Sequence, residues 1–320
     1  MAQLKKTISI CIPVYNEGKN LSVAVDAVES LFKDELSNYE LEIIVTDNGS
    51  ADDTWKITQN LANQKPYLKG YRFSRNFGYQ NSVFAGLSMA TGDAVIEMDA
   101  DLEDPPHVIP SFVKEWEKGF DVVYGVRAKR YGSLALRSLF SVFYWLLNRI
   151  SEQKIPRNAG DFRLLDRKVV DVLKALPERN LYLRGLVSFL GFKQTPYLYE
   201  RQPRISGNSK FKFFHYVILA IDAITAFTKA PLRIIGALGT LLFFAAFGLG
   251  IYYLVSHLIF GVEVKGFTTL VILTLFLHSI TFIFLGILGE YLSRIFDDSK
   301  NRPRIIFEDS INTTDCPKYL

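Results

Sequence analysis

Between residues 7 and 124 the chain alternates short apolar runs with stretches whose apolar positions recur every three or four residues. Thr7-Ile-Ser-Ile-Cys-Ile-Pro-Val14 is β-branched and almost continuously apolar, which predicts a strand buried on both faces. Helical spacing follows over 19–33 through Leu21, Val25, Val28, Leu31 and Phe32. The same rhythm predicts strands at 40–46, 67–73, 94–96 and 120–124. The helices between them carry Trp55, Ile57 and Leu61 behind a cap from Asp52 or Asp53, a small-residue stretch ending at Ala90, and residues 108–118. Strand, helix, strand at this pace implies an α/β fold with a mostly parallel sheet covered on both faces.

Further along the pattern changes. Residues 131–151 place Leu134, Leu136, Leu139, Phe140, Phe143, Trp145, Leu146, Leu147 and Ile150 among few polar positions, and residues 210–229 repeat the habit. Both predict amphipathic helices lying in a headgroup layer, with a buried core helix as the alternative for the first. Residues 234–262 carry no charge apart from a possible one on His257, and 266–289 none apart from one on His278. At 1.5 Å per residue, about 22 residues cover the ~30 Å hydrocarbon core, so a two-helix transmembrane hairpin is expected at about 233–257 and 266–290. Lys229 and Arg233 precede the pair, and Arg294, Lys300, Arg302 and Arg304 follow it, which puts both termini in the cytoplasm. The expected organisation is a cytoplasmic domain over 1–230, the hairpin over 231–292 and a cytoplasmic tail over 293–320. The polar last dozen residues read as frayed.

Composition agrees with membrane contact: hydrophobic residues make up 49% of 320, and the net charge is a modest +4. Nucleic acid is not expected among the partners. Cys11 lies in a predicted strand and Cys316 in the tail, so there is no disulfide framework, and four scattered histidines give no zinc spacing. The apolar run near the N-terminus reads as a strand rather than a signal peptide.

The chemistry gathers at Glu97-Met-Asp-Ala-Asp-Leu-Glu-Asp-Pro-Pro106. A strand leads into it and two prolines stop any regular element, so Asp99, Asp101 and Glu103 sit in a loop at a strand's end. Alternate spacing lets carboxylates converge on Mg²⁺ or Mn²⁺, which take oxygen ligands and substrate phosphates. An isolated pair of this kind is usually only an acidic turn. Here Glu17 and Asp47 also follow strand ends, which puts three acidic signals on the rim where such sheets bind ligands. Neither a G-x-G-x-x-G nor a G-x-x-x-x-G-K-[ST] glycine cradle is present, so a carboxylate-held metal is the natural counter-charge for a diphosphate.

Pro13-x-Tyr15-Asn16-Glu17, Asp47-Asn-Gly-Ser-x-Asp-Asp-Thr54, Arg75-Asn-Phe-Gly78, Asp99-Ala-Asp-Leu-Glu-Asp-Pro-Pro106, Gly160-Asp-Phe-Arg-Leu164 and Arg204-x-x-Gly207-x-Ser209-Lys210-Phe211 together resemble the family-2 glycosyltransferases. The likeness spans roughly the first 230 residues and is strongest to the polyprenyl-phosphate branch, with its bactoprenol glucosyltransferases and dolichol-phosphate mannose synthases. Asn48 stands where an Asp is frequent, and Glu103 where a Gln is frequent. The resemblance implies a Rossmann-like GT-A domain. Pro13, Tyr15, Glu17 and Asp47 would hold base and ribose, Asp99 the donor, and Asp99, Asp101 and Glu103 the metal. Arg204, Ser209 and Lys210 would close over the nucleotide-sugar, while Arg127, Arg137 and Ser141 would contact the acceptor phosphate. Asp161, the family's candidate base, and Asp101 would be catalytic.

The reaction this implies is inverting sugar transfer from a nucleotide-sugar onto polyprenyl phosphate by an integral membrane protein of the bacterial inner membrane. UDP-glucose leads as donor, with GDP-mannose and other UDP-sugars as alternatives. Membrane lipid is an expected partner, and a homo-oligomer stays open. A phosphate monoester with a second pKa near 6 arrives largely ionised, so Asp161 could orient the acceptor or hold a proton instead of abstracting one. Two spans and the missing Q-x-x-R-W motif argue against a processive polysaccharide synthase; intact Asp99, Asp101 and Glu103 argue against a non-catalytic lipid or sugar-nucleotide binder.

Overall fold

The computed structural model describes residues 5–128, 159–178, 181–202, 230–260, 266–300, 302–313 and 317–320. Both expected interfacial helices, 131–151 and 210–229, lie outside those ranges. The chain divides into two compact units.

The first unit is an eight-stranded sheet in the order β7-β5-β6-β4-β1-β2-β3-β8. Its first strands are β1 (Thr7–Val14), β2 (Glu40–Asp47), β3 (Leu68–Phe73) and β4 (Ala94–Glu97). These pair in parallel, β3-β2-β1-β4, so the strand order reverses between β1 and β4. A reversal of this kind opens a crevice at the strands' carboxyl ends. Helices α1 (Gly18–Asp34), α2 (Thr54–Gln64), α3 (Tyr79–Met89) and α4 (Ile109–Glu117) connect and cover them.

Side chains along each strand alternate between two cores, as a period of two requires. Ile8, Ile10, Ile12 and Val14 pack on one face with Ile43, Val45 and Ile96, under Leu21, Val25, Val28 and Phe112. Cys11, Ile44 and Val95 pack on the other with Val83, Phe84 and Leu87 of α3. Helix α2 follows Asp53, but the capping carboxylate is that of Asp52, whose Oδ1 accepts from Thr54 N–H at 3.0 Å.

The sheet departs from a purely parallel plan beyond β4. Strand β6 (Ala159–Asp166) inserts antiparallel between β4 and β5 (Val122–Arg127), and β7 (Gln194–Tyr199) closes that side parallel to β5. Helices α5 (Arg167–Ala175) and α6 (Leu183–Phe189) complete the unit's second face.

Among the described residues of the tail the expected fraying is not observed. Residues Phe307–Ile311 form β8, antiparallel to β3. Phe307 packs on Phe73 and Tyr71, Ile305 is buried, Trp55 Nε1 donates to Asp309 at 3.2 Å, and Asn312 Nδ2 donates to the carbonyls of Ala62 and Leu68. An edge strand with one buried face shows so few apolar positions that its sequence passes for a tail.

The second unit holds two long helices, α7 (Ala230–Phe260) and α8 (Phe267–Ser299). Pro231–Tyr252 and Leu273–Ser293 have mean hydropathies of 2.2 and 1.7, with their apolar surface unburied. Both are long and apolar enough to cross a membrane, and water is a poor solvent for such faces.

Candidate active site

The rim after β1 and β2 is stitched by short polar side chains. Asn16 takes a left-handed φ of 57°, with Asn16 N–H donating to Ser50 Oγ and Asn16 Oδ1 accepting from Ala51 N–H, both at 2.9 Å. Glu17 N–H donates to Thr54 Oγ1, and the Glu17 carboxylate accepts from Asn20. Gly49 also has positive φ, and a Cβ there would lie 2.8 Å from the Arg75 carbonyl carbon, so a side chain has no room. Asn48 Oδ1 accepts from Phe77 N–H at 2.8 Å, so the amide that replaces a frequent Asp ties down the 75–78 loop.

Among the residues expected at the nucleotide, Pro13 is buried inside β1, while Tyr15 stands exposed at its end. Asp47 is wholly buried. Its Oδ1 accepts from Ser50 N–H at 3.0 Å; its Oδ2 lies 3.6 Å from Arg72 Nε and has no hydrogen-bond partner among the described residues. Burial raises the Asp47 pKa. A buried, half-satisfied carboxylate at the crevice is built to accept one more donor.

The densest charge lies where β4 and β6 meet. Their register sets Glu97 opposite Arg163, with Arg163 Nε 3.3 Å from Glu97 Oε2. Arg163 also donates to Asp161 Oδ1 at 3.0 Å, and Arg184 of α6 grips both Asp161 oxygens, its Nε at 2.7 Å from Oδ1. Burial disfavours an ionised Asp161, but the Arg184 and Arg163 guanidiniums outweigh it and hold its carboxyl below the usual range. As it stands, Asp161 is a fixed anion and a weak base.

Asp99 is placed differently. Tyr79 Oη donates to its Oδ1 at 2.8 Å, and among the described residues no Lys or Arg pairs with it. Burial, reinforced by Asp161, Asp101 and Asp104, pushes the Asp99 pKa up to about 7, against the Tyr79 hydrogen bond. Burial and the carboxylates of Asp99, Glu97 and Asp161 raise the Tyr79 phenol well above its ordinary value, so it keeps its proton and stays a donor.

The third expected metal ligand goes elsewhere. Glu103 is buried and ion-paired with Arg201, which also lies 3.5 Å from Asp104. Among the described residues no three His, Cys, Asp or Glu side chains gather as a metal cage. A guanidinium 98 positions along the chain reaches Glu103, and no local pattern announces that pairing. Arg127, expected at the acceptor phosphate, donates to Oδ2 of buried Asp104 at 3.3 Å, and the Tyr199 hydroxyl donates to the other Asp104 oxygen. Arg137, Ser141, Arg204, Ser209 and Lys210 lie outside the described residues.

Tyr79, Arg184 and Arg201 were not marked by sequence. Tyr79 immediately follows the Arg75-Asn-Phe-Gly78 run, a usable signal; Arg184 and Arg201 stand in no recognisable pattern.

The model of the family described as "Glycosyl transferase family 2" matches residues 9–173, just over half of the chain. A prophage bactoprenol glucosyl transferase homolog of Escherichia coli (strain K12) is 40% identical over 302 residues, 94% of this chain and 98% of its own. The bactoprenol glucosyl transferase of Shigella phage SfV is likewise 40% identical over 302 residues, again 94% and 98%. The chain therefore belongs to glycosyl transferase family 2 and is a glycosyltransferase. Among solved structures, glucosyl-3-phosphoglycerate synthase from Mycobacterium tuberculosis in complex with Mn²⁺, UDP-glucose and phosphoglyceric acid aligns with a TM-score of 0.49 at 18% identity, covering 69% of this chain and 78% of that one.

Proposed function

We propose that this protein transfers a sugar, glucose from UDP-glucose, onto polyprenyl phosphate at the cytoplasmic face of the bacterial inner membrane. The observation that carries the reading is the presence, in one chain of this family, of two unburied apolar helices of membrane-crossing length. A transferase acting between soluble partners has no use for them; one whose acceptor has an isoprenoid tail does. Relatives named bactoprenol glucosyl transferase support the same acceptor and sugar.

Asp47, with one buried oxygen still able to accept, suits a base or ribose donor, and Tyr15 offers an exposed ring beside it. Among the described residues no cationic side chain pairs with Asp99, so an incoming divalent cation fits there, with Asp101 as second ligand. Divalent ions of this class are commonly held by one or two carboxylates plus substrate phosphates, so a full protein cage is not required. Glu103 would join only by leaving Arg201. The ion, Mg²⁺ or Mn²⁺, would neutralise the departing nucleoside diphosphate.

An acceptor phosphate oxygen attacks the anomeric carbon from the face opposite the diphosphate. The new C–O bond forms as the old one breaks, with inversion, and the nucleoside diphosphate leaves with the electron pair. The acceptor is already ionised, so no side chain has to take a proton. Arg-held Asp161 orients and does not deprotonate. Incubating membranes that contain the protein with undecaprenyl phosphate and radiolabelled UDP-glucose, GDP-mannose and other UDP-sugars, with and without EDTA, tests this. Label from UDP-glucose should enter the organic phase and should vanish with EDTA; label from none of the donors would refute the reading.

A further inference from the structure

Helix α6 carries a side chain with a defined task. Arg184 holds Asp161 at two points, Nε to Oδ1 at 2.7 Å and a terminal nitrogen to Oδ2. The pair is well shielded, with Asp161 15% and Arg184 29% exposed. The helix is itself held at its start, where Leu183 N–H donates to Gln80 Oε1 at 3.0 Å. Gln80 adjoins Tyr79, which binds Asp99. Residues 79–80 and 183–184 thus tie together the two ends of the carboxylate cluster.

The charges around this corner explain why the tie matters. Asp161 is faced by Arg163 of β6, Arg184 of α6 and Arg127 of β5, and on the acidic side by Glu97 of β4, Asp99 beyond it and Tyr79 of α3. Arg163 is already shared between Glu97 and Asp161. Without Arg184, Asp161 and Glu97 would divide the Arg163 guanidinium while Arg127 is engaged by Asp104, and an anion approaching Asp161 would be held less well. With Arg184, Asp161 carries more positive than negative charge around it, and its carboxylate cannot rotate freely.

We propose that Arg184 is a positioning residue for the acceptor: by its two-point hold it fixes Asp161 and lets an anionic phosphate headgroup enter beside it. The inference rests on the reading above that the acceptor is a lipid phosphate. It assigns to α6 a control over acceptor binding that is separate from donor binding at Asp47 and Asp99.

The test uses full-length protein in detergent, with UDP-glucose and undecaprenyl phosphate varied independently. Arg184→Gln should raise the acceptor KM by about tenfold or more while the donor KM stays within roughly twofold. Arg184→Lys should recover little of the loss, because an ammonium cannot span both Asp161 oxygens. Arg184→Gln combined with Asp161→Asn should be no worse than Asp161→Asn alone, since the two act as one unit. Equal rises in both KM values, or additive losses in the double variant, would overturn the proposal, as would a Gln variant whose loss follows a fall in Tm and a Lys variant that is fully active. Wild-type protein that glucosylates no lipid phosphate would refute the functional reading instead. Wild-type transfer matched by Arg184→Gln would refute this inference alone.

Discussion

Arg163 stands opposite Glu97 across the antiparallel β4–β6 pair, its Nε 3.3 Å from Glu97 Oε2, with both side chains almost fully buried. Beyond that last paired position of β4, Asp99 lies near enough to Asp161 for the two carboxylate charges to act on each other. The insertion of β6 beside β4 therefore creates the carboxylate cluster. It gives one of the two aspartates two guanidiniums and leaves the other without any among the described residues. The division of labour proposed here follows from that asymmetry.

The first consequence is unequal sensitivity to mutation. Asp99→Ala should abolish measurable transfer, a loss of about a thousandfold or more, because it removes the carboxylate assigned to the cation at the leaving diphosphate. Asp161→Asn keeps the shape and should leave transfer reduced roughly 10- to 100-fold. Initial rates with purified protein separate the two. Equal losses would contradict an orienting role for Asp161.

The second concerns pH and stability. The folded Asp99 pKa, about 7, lies above the ordinary 3.8. A pKa raised by folding means that protonated Asp99 favours the native state at low pH, and that this contribution is lost as pH rises through about 7. Asp99→Asn should therefore raise Tm at pH 8, by roughly 2–4 °C for each kcal/mol gained, and the gain should disappear near pH 4. Mn²⁺ should stabilise wild type more at pH 8 than at pH 6 and leave the Asn variant unmoved. Thermal melts across pH check both signs.

Much of this arrangement was legible in advance, and the illegible parts have a common cause. Short, almost continuous apolar runs and the helical spacing between them place β1 to β4 and their helices, because the parallel half is built from consecutive elements. The acids from Asp99 to Glu103 were visible because a strand and two prolines bracket them. The antiparallel entry of β6, the Arg184 grip and the Arg201–Glu103 pair were not visible, since each joins segments far apart in sequence. In residues 307–311 only Phe307 and Ile311 are apolar, too sparse a pattern to distinguish an edge strand from a tail.

A third prediction addresses that strand. Phe307→Ala removes a ring packed on Phe73 and Tyr71 and should cost about 3–5 kcal/mol, the usual range for a buried Phe. Limited proteolysis should then cut within 302–313 in the variant and spare wild type. Unchanged protease resistance would show that β8 is held by its hydrogen bonds alone.

A fourth isolates Tyr79. Tyr79→Phe deletes the hydroxyl that donates to Asp99 at 2.8 Å and stabilises its ionised form. The Asp99 pKa should rise, and the acid limb of kcat/KM for the donor should move upward by roughly one pH unit. An unmoved limb would mean that Asp99 does not govern that ionisation.

The most direct test of the whole account is the position of the ion. Crystals or single particles of the full-length protein with UDP-glucose and Mn²⁺ should show the ion bound to Asp99 and Asp101 at about 2.0–2.3 Å and bridging to the diphosphate. An ion that binds the diphosphate while leaving Asp99 to Tyr79 alone would contradict it.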